Sequence, residues 1–289
     1  MSDGNIPKNH HFVAQGHAEA FTNGEGGLWV FNKKRGKLFD TKPKSVFAET
    51  HLYTIESAEG EKDASFEAEL AVLEGGAKPI LNKLIAGARQ GVVPVLSDEE
   101  KSIWDRYFYI QWKRVPDVHN RSPMLRDGDA SIDAIFEKVS QAHPAAAAEI
   151  AKFDTPEQRR RLMQGAKVQA LRKDPGQVMA ILKARGLALL HIAAPGESLA
   201  LGSLPIVLKA GGLRPEDAEA WLPIASDVAV TPAGPAGSIR IDVAEPGVAM
   251  RLNRIIAAQS STFAAASRDL VETLVTELGA GGASVFTTE

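Results

Sequence analysis

The period of the hydrophobic pattern changes along this 289-residue chain, and these changes restrict the fold more than any other feature. Short strand-like apolar runs come first, three- and four-residue periodicity predicts helices over about 62–185, and strand-like runs return at about 186–245. Strands and helices are therefore segregated rather than alternating, and no glycine-rich phosphate loop follows a strand. The pattern predicts an α+β fold, organised as a single domain over 1–289.

Turn and stop residues indicate the elements at the two ends of the chain. Gly36 lies between the apolar runs Leu28–Phe31 and Lys37–Phe39, as a hairpin loop requires, and predicts an N-terminal β-hairpin. Near the other end an apolar stripe extends from Val248 to Leu278 and predicts one long amphipathic helix, which Gly279 would end. We expect this helix to close an antiparallel C-terminal sheet.

The composition excludes several classes of protein. The chain contains no cysteine, which excludes disulfides, thiolate catalysis and cysteine-ligated zinc or iron–sulfur sites. A net charge of −3 gives no overall attraction to nucleic acid or anionic lipid, so such contacts would need a local basic patch. No secretory signal opens the sequence, and no apolar run approaches the roughly 20 residues that span a bilayer. We predict a cytoplasmic protein without a membrane partner.

Three of the seven histidines, His10, His11 and His17, lie within the first seventeen residues. Imidazole suits proton transfer and metal binding, and adjacent histidines are a poor filling for an apolar core. Their spacing does not match a helical zinc pair, so a divalent metal would need distant carboxylates as further ligands. The alternative for His11 is acid/base chemistry. A structural role, in which the rings hydrogen-bond backbone groups, competes with both and is strongest for His17.

A helix with aromatic and basic side chains is predicted over 97–115 by the capping box of Ser97 and Glu100 and by Pro116 at its end. Aromatic rings interleaved with arginines suit base stacking and phosphate neutralisation, although such a stripe is more often a core face. Arg114 precedes the terminating proline, and its fixed charge suits binding of a carboxylate or phosphate. The aromatic residues at four-residue spacing are Trp104, Phe108 and Trp112.

Several short motifs recur in an order that points to a family. They are His10-His11, Phe21, Leu28–Phe31, Glu74 before an apolar helix, Gln111, Arg114-Val115-Pro116 and Leu252-Asn253. From about His10 to Phe286 the chain resembles a largely bacterial family known as domain of unknown function number 4238. The resemblance implies kinship and candidate positions, and it implies no activity. One departure is Gly202-Ser203-Leu204-Pro205, where the family tends to have a Ser-Asp-x-Pro-like turn.

These observations support a leading hypothesis and two rivals, and they leave open whether the chain is an enzyme. The leading hypothesis is a hydrolase acting on a phosphate-containing or nucleic-acid substrate, with His11, Glu74 and Asn253 as catalytic residues and with His10 and Arg114 binding substrate. The first rival is a non-catalytic binding or interaction protein that uses the aromatic and basic helix. The second is a structural subunit that pairs with another protein or with a second copy of this chain.

Overall fold

The computed structural model describes residues 8–57, 60–121, 127–173, 175–208 and 219–280. Helices dominate the middle of the chain, and strands that pair mainly antiparallel lie before and after it, which confirms the α+β class. None of the described helices is both long and apolar enough to cross a membrane.

The described helices are α1 (Gln15–Glu19), α2 (Ser65–Gln90), α3 (Asp98–Lys113), α4 (Pro116–Arg121), α5 (Gly128–Ala142), α6 (Ala147–Phe153), α7 (Pro156–Arg172), α8 (Gln177–Lys183), α9 (Val248–Gln259) and α10 (Arg268–Ala280), with short 3-10 turns at Pro43–Ser45 and Pro144–Ala146. The described strands are β1 (Asn9–His11), β2 (Leu28–Asn32), β3 (Lys37–Thr41), β4 (Ala48–Thr50), β5 (Ile55–Glu56), β6 (Lys62–Asp63), β7 (Arg185–His191), β8 (Leu201–Gly202), β9 (Val207–Leu208), β10 (Ala220–Ala225), β11 (Val228–Pro235), β12 (Ile239–Val243) and β13 (Thr262–Ala265).

The predicted N-terminal hairpin is confirmed as β2 and β3, and it forms one side of a four-stranded sheet. The strand order is β3-β2-β13-β8, with Asn32 opposite Lys37 next to the hairpin loop. Gly36 has φ 58°, a left-handed conformation that a glycine adopts without steric cost. Strand β13 pairs antiparallel with β2 and places Phe263 opposite Phe31. The N-terminal hairpin therefore shares a sheet with a strand from the C-terminal part of the chain.

The C-terminal strands form a second sheet of order β12-β7-β11-β10-β9. Its neighbours are antiparallel as predicted, except that the edge strand β12 runs parallel to β7 with Ile239 opposite Leu187. Helices α2 and α3 pack together, and their apolar side chains share a core with this sheet.

The prediction of a single long closing helix is wrong, because the chain forms a strand between two shorter helices. Ser260 is extended (φ −93°, ψ 144°) and ends α9; β13 then pairs with both β2 and β8 before α10 begins. Phe263, which falls on the predicted helical stripe, is a fully buried strand residue. Pairing with two neighbouring strands outweighs the local helical pattern at this point.

Helix α2 is continuous through an internal proline, Pro79. Proline removes one helical hydrogen bond and its ring approaches the carbonyl four residues earlier, which here belongs to Gly75. Gly75 is exposed and Gly76 follows it, so water and a flexible backbone accommodate the proline.

Helix α3 begins with the predicted capping box. The Ser97 hydroxyl accepts from the Glu100 backbone N–H at 3.1 Å, and the Glu100 carboxylate accepts from the Ser97 N–H at 2.8 Å. Two rings of the aromatic stripe on α3 belong to the core, since Trp104 and Phe108 are at most 1% exposed. They are therefore not accessible for stacking on bases, whereas Trp112, the third ring of the stripe, is partly exposed.

Candidate functional site

The two adjacent histidines lie on β1 and point to opposite sides of it, as successive strand residues do. His10 is fully buried, and its Nδ1 accepts a hydrogen bond from the Tyr53 backbone N–H at 3.0 Å. His11 is half-buried and keeps a route to solvent. Only the second imidazole is therefore placed to exchange protons with a substrate.

Strained backbone flanks β4, the partner strand of β1. Phe47 and His51 both have φ 56°, a left-handed conformation that is costly for a bulky side chain. The Phe47 carbonyl accepts from the Phe12 N–H at 2.9 Å, and the His51 N–H donates to the Lys8 carbonyl at 2.8 Å. These bonds hold the strained residues at both ends of the segment that faces the histidines. Strain of this kind is concentrated at functional sites.

A buried ion pair connects β1, α2 and α3. Arg114, the residue that ends α3, is fully buried, and its Nη1 lies 2.5 Å from Oε1 of Glu74 on α2. Its Nε donates to the Phe12 carbonyl at 2.8 Å, and its own carbonyl accepts from the Tyr53 hydroxyl at 3.1 Å. The Glu74 side chain is 29% exposed, so the carboxylate forms the solvent edge of the pair.

His11 lies close enough to this pair for both charges to act on it. Burial lowers the pKa of His11 below its usual 6.5, although the hydrogen bond to the Lys44 carbonyl and the charge of Glu74 raise it, and Arg114 lowers it further. The Lys44 carbonyl lies 3.2 Å from Nε2, so Nε2 carries the proton of the neutral ring. The Nδ1 lone pair is then the basic position, and the ring is uncharged at pH 7.

His17 occupies a different environment on α1. Its Nε2 donates to the Pro223 carbonyl at 2.7 Å, and its Nδ1 lies 3.2 Å from the Tyr107 hydroxyl, which donates to it. Burial lowers the pKa of His17 to about 4, against the smaller effect of the Pro223 bond. This neutral, fully bonded ring fits the structural role that competes with catalysis at His17.

Several buried polar atoms near Arg114 make no hydrogen bond within the described part of the chain. They are both amide atoms of Gln111, Nη2 of Arg114 and Oε2 of Glu67. Each buried polar atom left unbonded costs about 1–3 kcal/mol. A group of such atoms between facing helices provides polar positions for water or for a polar group of a ligand.

Asn253, the fifth predicted site residue, lies apart from this cluster on α9. Its side chain accepts from the Ala200 N–H at 2.7 Å and donates to the Ser198 carbonyl at 2.7 Å. Both ends of the amide are therefore used to hold the loop before β8. The fold brings together His10, His11, Glu74 and Arg114, whereas the hydrogen bonds of Asn253 go to that loop.

At Ser203, where the resemblance implied an aspartate, a carboxylate reaches the position from another element. The Ser203 hydroxyl donates to Asp117 at the start of α4, and the same carboxylate oxygen accepts from the Ser261 N–H and hydroxyl, each at 3.1 Å. Asp117 therefore joins α4 to the loops before β9 and β13.

The described residues contain no group of three or more His, Asp or Glu side chains arranged to hold a metal ion. A cavity of about 270 Å³ lies beside the 3-10 turn whose Lys44 carbonyl bonds His11. Lys42, Lys44 and Ser45 line it together with Asp40.

Sequence reasoning missed Glu67 and Tyr53 as neighbours of the site. A signal for Glu67 was available, because it lies seven residues before Glu74 and therefore two turns away on the same helix face. Tyr107, Gln111 and Arg114 share a face of α3 in the same way. Tyr53 lies in an irregular segment, and no periodicity identifies it.

Neither the curated proteins nor the solved structures include a match to this chain. The family described as protein of unknown function (DUF4238) matches residues 9–269, a span that contains every residue of the cluster. The chain belongs to this family.

Proposed function

We propose that this protein is a hydrolase of phosphate-containing substrates in which His11 is the proton acceptor. The observation that carries the proposal is a neutral, half-exposed imidazole beside a Glu74–Arg114 pair whose carboxylate edge reaches solvent. A lone structural histidine has no need of a charged pair from two distant helices. A general base, in contrast, needs an open lone pair and a nearby negative charge.

Each residue has a distinct part in the proposed reaction. His11 Nδ1 takes a proton from water as the water oxygen attacks phosphorus; the bond from phosphorus to the ester oxygen breaks, and the leaving alcohol or phenol departs and takes any proton it needs from solvent. The resulting imidazolium is stabilised by the negative charge of Glu74, which already raises the pKa of His11. Arg114 is too deeply buried to meet a substrate directly in this conformation, so it positions Glu74 and, through the Phe12 carbonyl, the strand that carries His11.

The phosphate class is supported by the cavity beside the Lys44 turn. Lys42 and Lys44 line it next to the turn that His11 bonds, although Asp40 and Glu25 line it as well. A lysine ammonium is a common phosphate-binding group. We assign the substrate's phosphate to the lysine side of this cavity.

The test compares wild type with His11→Gln on p-nitrophenyl phosphate and bis(p-nitrophenyl) phosphate, a monoester and a diester. We expect His11→Gln to lower kcat by about 100-fold or more while KM changes little, because a general base acts in the transition state. His143→Gln is the matched control, since His143 is exposed after α5, and it should keep wild-type turnover. The proposal fails if wild type hydrolyses neither ester, or if His11→Gln is as active as wild type.

A further inference from the structure

We propose that Glu67 is a positioning residue of this site. When its carboxyl group loses its proton, the unbonded Nη2 of Arg114 is drawn toward it. The protonation state of Glu67 therefore sets how firmly Arg114 holds Glu74. The effect on catalysis rests on the proposed hydrolase function, whereas the exchange of hydrogen bonds does not. Glu67 and Glu74 are then two carboxyl groups that compete for the guanidinium of Arg114.

Arg114 pairs with one carboxyl group of α2, that of Glu74, and its charge also acts on a second, that of Glu67. Glu67 and Glu74 lie on the same helix face, and Arg114 ends the neighbouring helix α3. Nη1 of Arg114 bonds Glu74, and Nε bonds the Phe12 carbonyl. Nη2 of Arg114 and Oε2 of Glu67 are both buried, and neither makes a hydrogen bond in the described part of the chain. Arg114 thus keeps an unused donor and Glu67 keeps an unused acceptor.

The surroundings of Oε2 favour the neutral acid. It lies 3.9 Å from Nδ1 of His10, which accepts the Tyr53 N–H and so presents a lone pair rather than a proton. An ionised oxygen there would be buried without a donor, which is costly. Burial raises the pKa of Glu67 to about 7, an effect that Glu74 reinforces and Arg114 opposes.

Arg172 is a second cation near this end of α2, and its Nη2 is used by other groups, although its Nε is buried and makes no hydrogen bond in the described part of the chain. Arg172 on α7 donates to the Ser65 hydroxyl and lies 3.1 Å from the Glu69 carboxylate. Its guanidinium also lies over the Phe66 ring, 5.5 Å from the centroid. The charge of Arg114, in contrast, acts on Glu67 and opposes the rise in its pKa.

Loss of the Glu67 proton changes this balance. The Glu67 side chain is 24% exposed, so the proton leaves to solvent. The new carboxylate then needs a donor, and Nη2 of Arg114 is an unused donor on a cation whose charge already acts on Glu67. The guanidinium becomes shared between the two glutamates, and its hold on Glu74 weakens as the pH rises through the Glu67 midpoint.

The first experiment follows the full-length wild-type protein by NMR, with the glutamate carboxyl ¹³C and arginine guanidinium ¹⁵N signals recorded from pH 5 to 9. We expect Glu67 to titrate with a midpoint of about 7 and the Arg114 signals to shift with the same midpoint. The Arg114 transition should be lost in Glu67→Gln and kept in Glu69→Gln, an exposed neighbour on the same helix. The inference is overturned if Glu67 titrates near pH 4.5, or if the Arg114 signals do not follow it.

The second experiment measures the pH profile of hydrolysis with the same esters. Wild-type turnover should fall as the pH rises through about 7, and Glu67→Gln, which mimics the neutral acid, should lose this decline. A Glu67→Gln profile identical to that of wild type contradicts the positioning role. Absence of turnover in wild type overturns the hydrolase function alone, because the NMR titration decides the exchange independently.

Discussion

At the scale of single residues, the burial of His17 makes stability depend on pH. Its pKa is lowered to about 4 in the folded chain, whereas an unfolded histidine titrates near 6.5. The unfolded state therefore binds the proton first as pH falls, and the stability present above 6.5 is lost between 6.5 and 4. At about 1.4 kcal/mol for each pKa unit, the loss is on the order of 3 kcal/mol.

Urea unfolding at pH 7 and pH 4.5 tests this prediction with His17→Gln. The variant should be less stable at pH 7, because the Pro223 carbonyl and the Tyr107 hydroxyl lose their partner, and less sensitive to acid than wild type. His143→Gln, at an exposed position, should retain the wild-type acid dependence. Equal acid dependence in wild type and His17→Gln would show that another group causes the loss.

Removing one member of the buried ion pair is predicted to cost more than the pair contributes. Glu74→Gln leaves the charge of fully buried Arg114 without its carboxylate, and such changes cost about 3–5 kcal/mol. The double variant Glu74→Gln/Arg114→Met should recover part of this loss, because no unpaired charge remains. Glu277→Gln breaks the exposed pair with Arg254 and should cost less than about 1 kcal/mol. Similar losses in Glu74→Gln and Glu277→Gln, measured by urea unfolding, would rule out a buried unpaired charge.

The candidate site could be predicted from residue types in part. His11, Glu74 and Arg114 stand out in the sequence because their side chains are polar and poor filling for a core. Glu74 lies next to two glycines, and Arg114 lies two residues before a helix-ending proline. Asn253 has the same appearance in the sequence, yet its amide holds a loop. Sequence identifies a residue that needs partners, and only the fold determines whether those partners are backbone groups or other side chains.

At the scale of elements, one glycine in β7 is predicted to be irreplaceable for steric reasons. A Cβ on Gly186 would lie 2.1 Å from the Ser238 carbonyl oxygen and 2.6 Å from that of Pro235. Backbone atoms cannot move aside as a flexible side chain can, so we expect Gly186→Ala to lower the free energy of unfolding by at least about 1–3 kcal/mol.

Gly75→Ala is the matched control for this change. A Cβ at this exposed helical position meets nothing within 4 Å, and alanine stabilises a helix over glycine by roughly 0.5–1 kcal/mol. Thermal unfolding should therefore shift in opposite directions for the two variants. A stable Gly186→Ala protein would contradict the close approach of Gly186 to the backbone of Pro235 and Ser238.

Elements bounded by local chemistry were the predictable ones. The capping box at Ser97 and the glycine at Gly36 fix the ends of α3 and of the hairpin through contacts within a few residues. The strand around Phe263 was missed because its stability comes from β2 and β8, which lie far away in the chain. An apolar stripe records that residues are buried, and it does not record whether a helix or a sheet buries them.

At the scale of the whole molecule, pairing between distant segments connects the two ends of the chain. Asn32 on β2 donates to the hydroxyl of Thr262 on β13 at 2.9 Å, across 230 residues of sequence. No local signal specifies such a pair, so the sequence does not reveal which strands share a sheet. Contacts of this kind also slow folding, since the entropy of closing the long loop between them is lost before the contact can stabilise the chain.

The same topology leads to a prediction about cooperativity. If 1–289 is a single domain, as the sequence predicts, damage to the β2–β13 contact should lower the stability of helices far from it. Phe263 is fully buried, and its ring lies 5.7 Å from that of Phe31, so Phe263→Ala should cost about 3–5 kcal/mol. Trp29 on β2 and Trp104 on α3 provide separate fluorescence probes in single-tryptophan variants.

Both probes should report one urea transition in the parent protein and the same lowered midpoint in Phe263→Ala. Val243→Ala, at an edge-strand side chain that is 67% exposed, is the control and should shift the midpoint little. Separate transitions at Trp29 and Trp104 would show that the sheet unfolds without the helices. In that case His11 and Phe12, which lie on the sheet side of the Arg114 contact, could separate from α2 and α3 without global unfolding, and the proposed site would form only when the two parts are together.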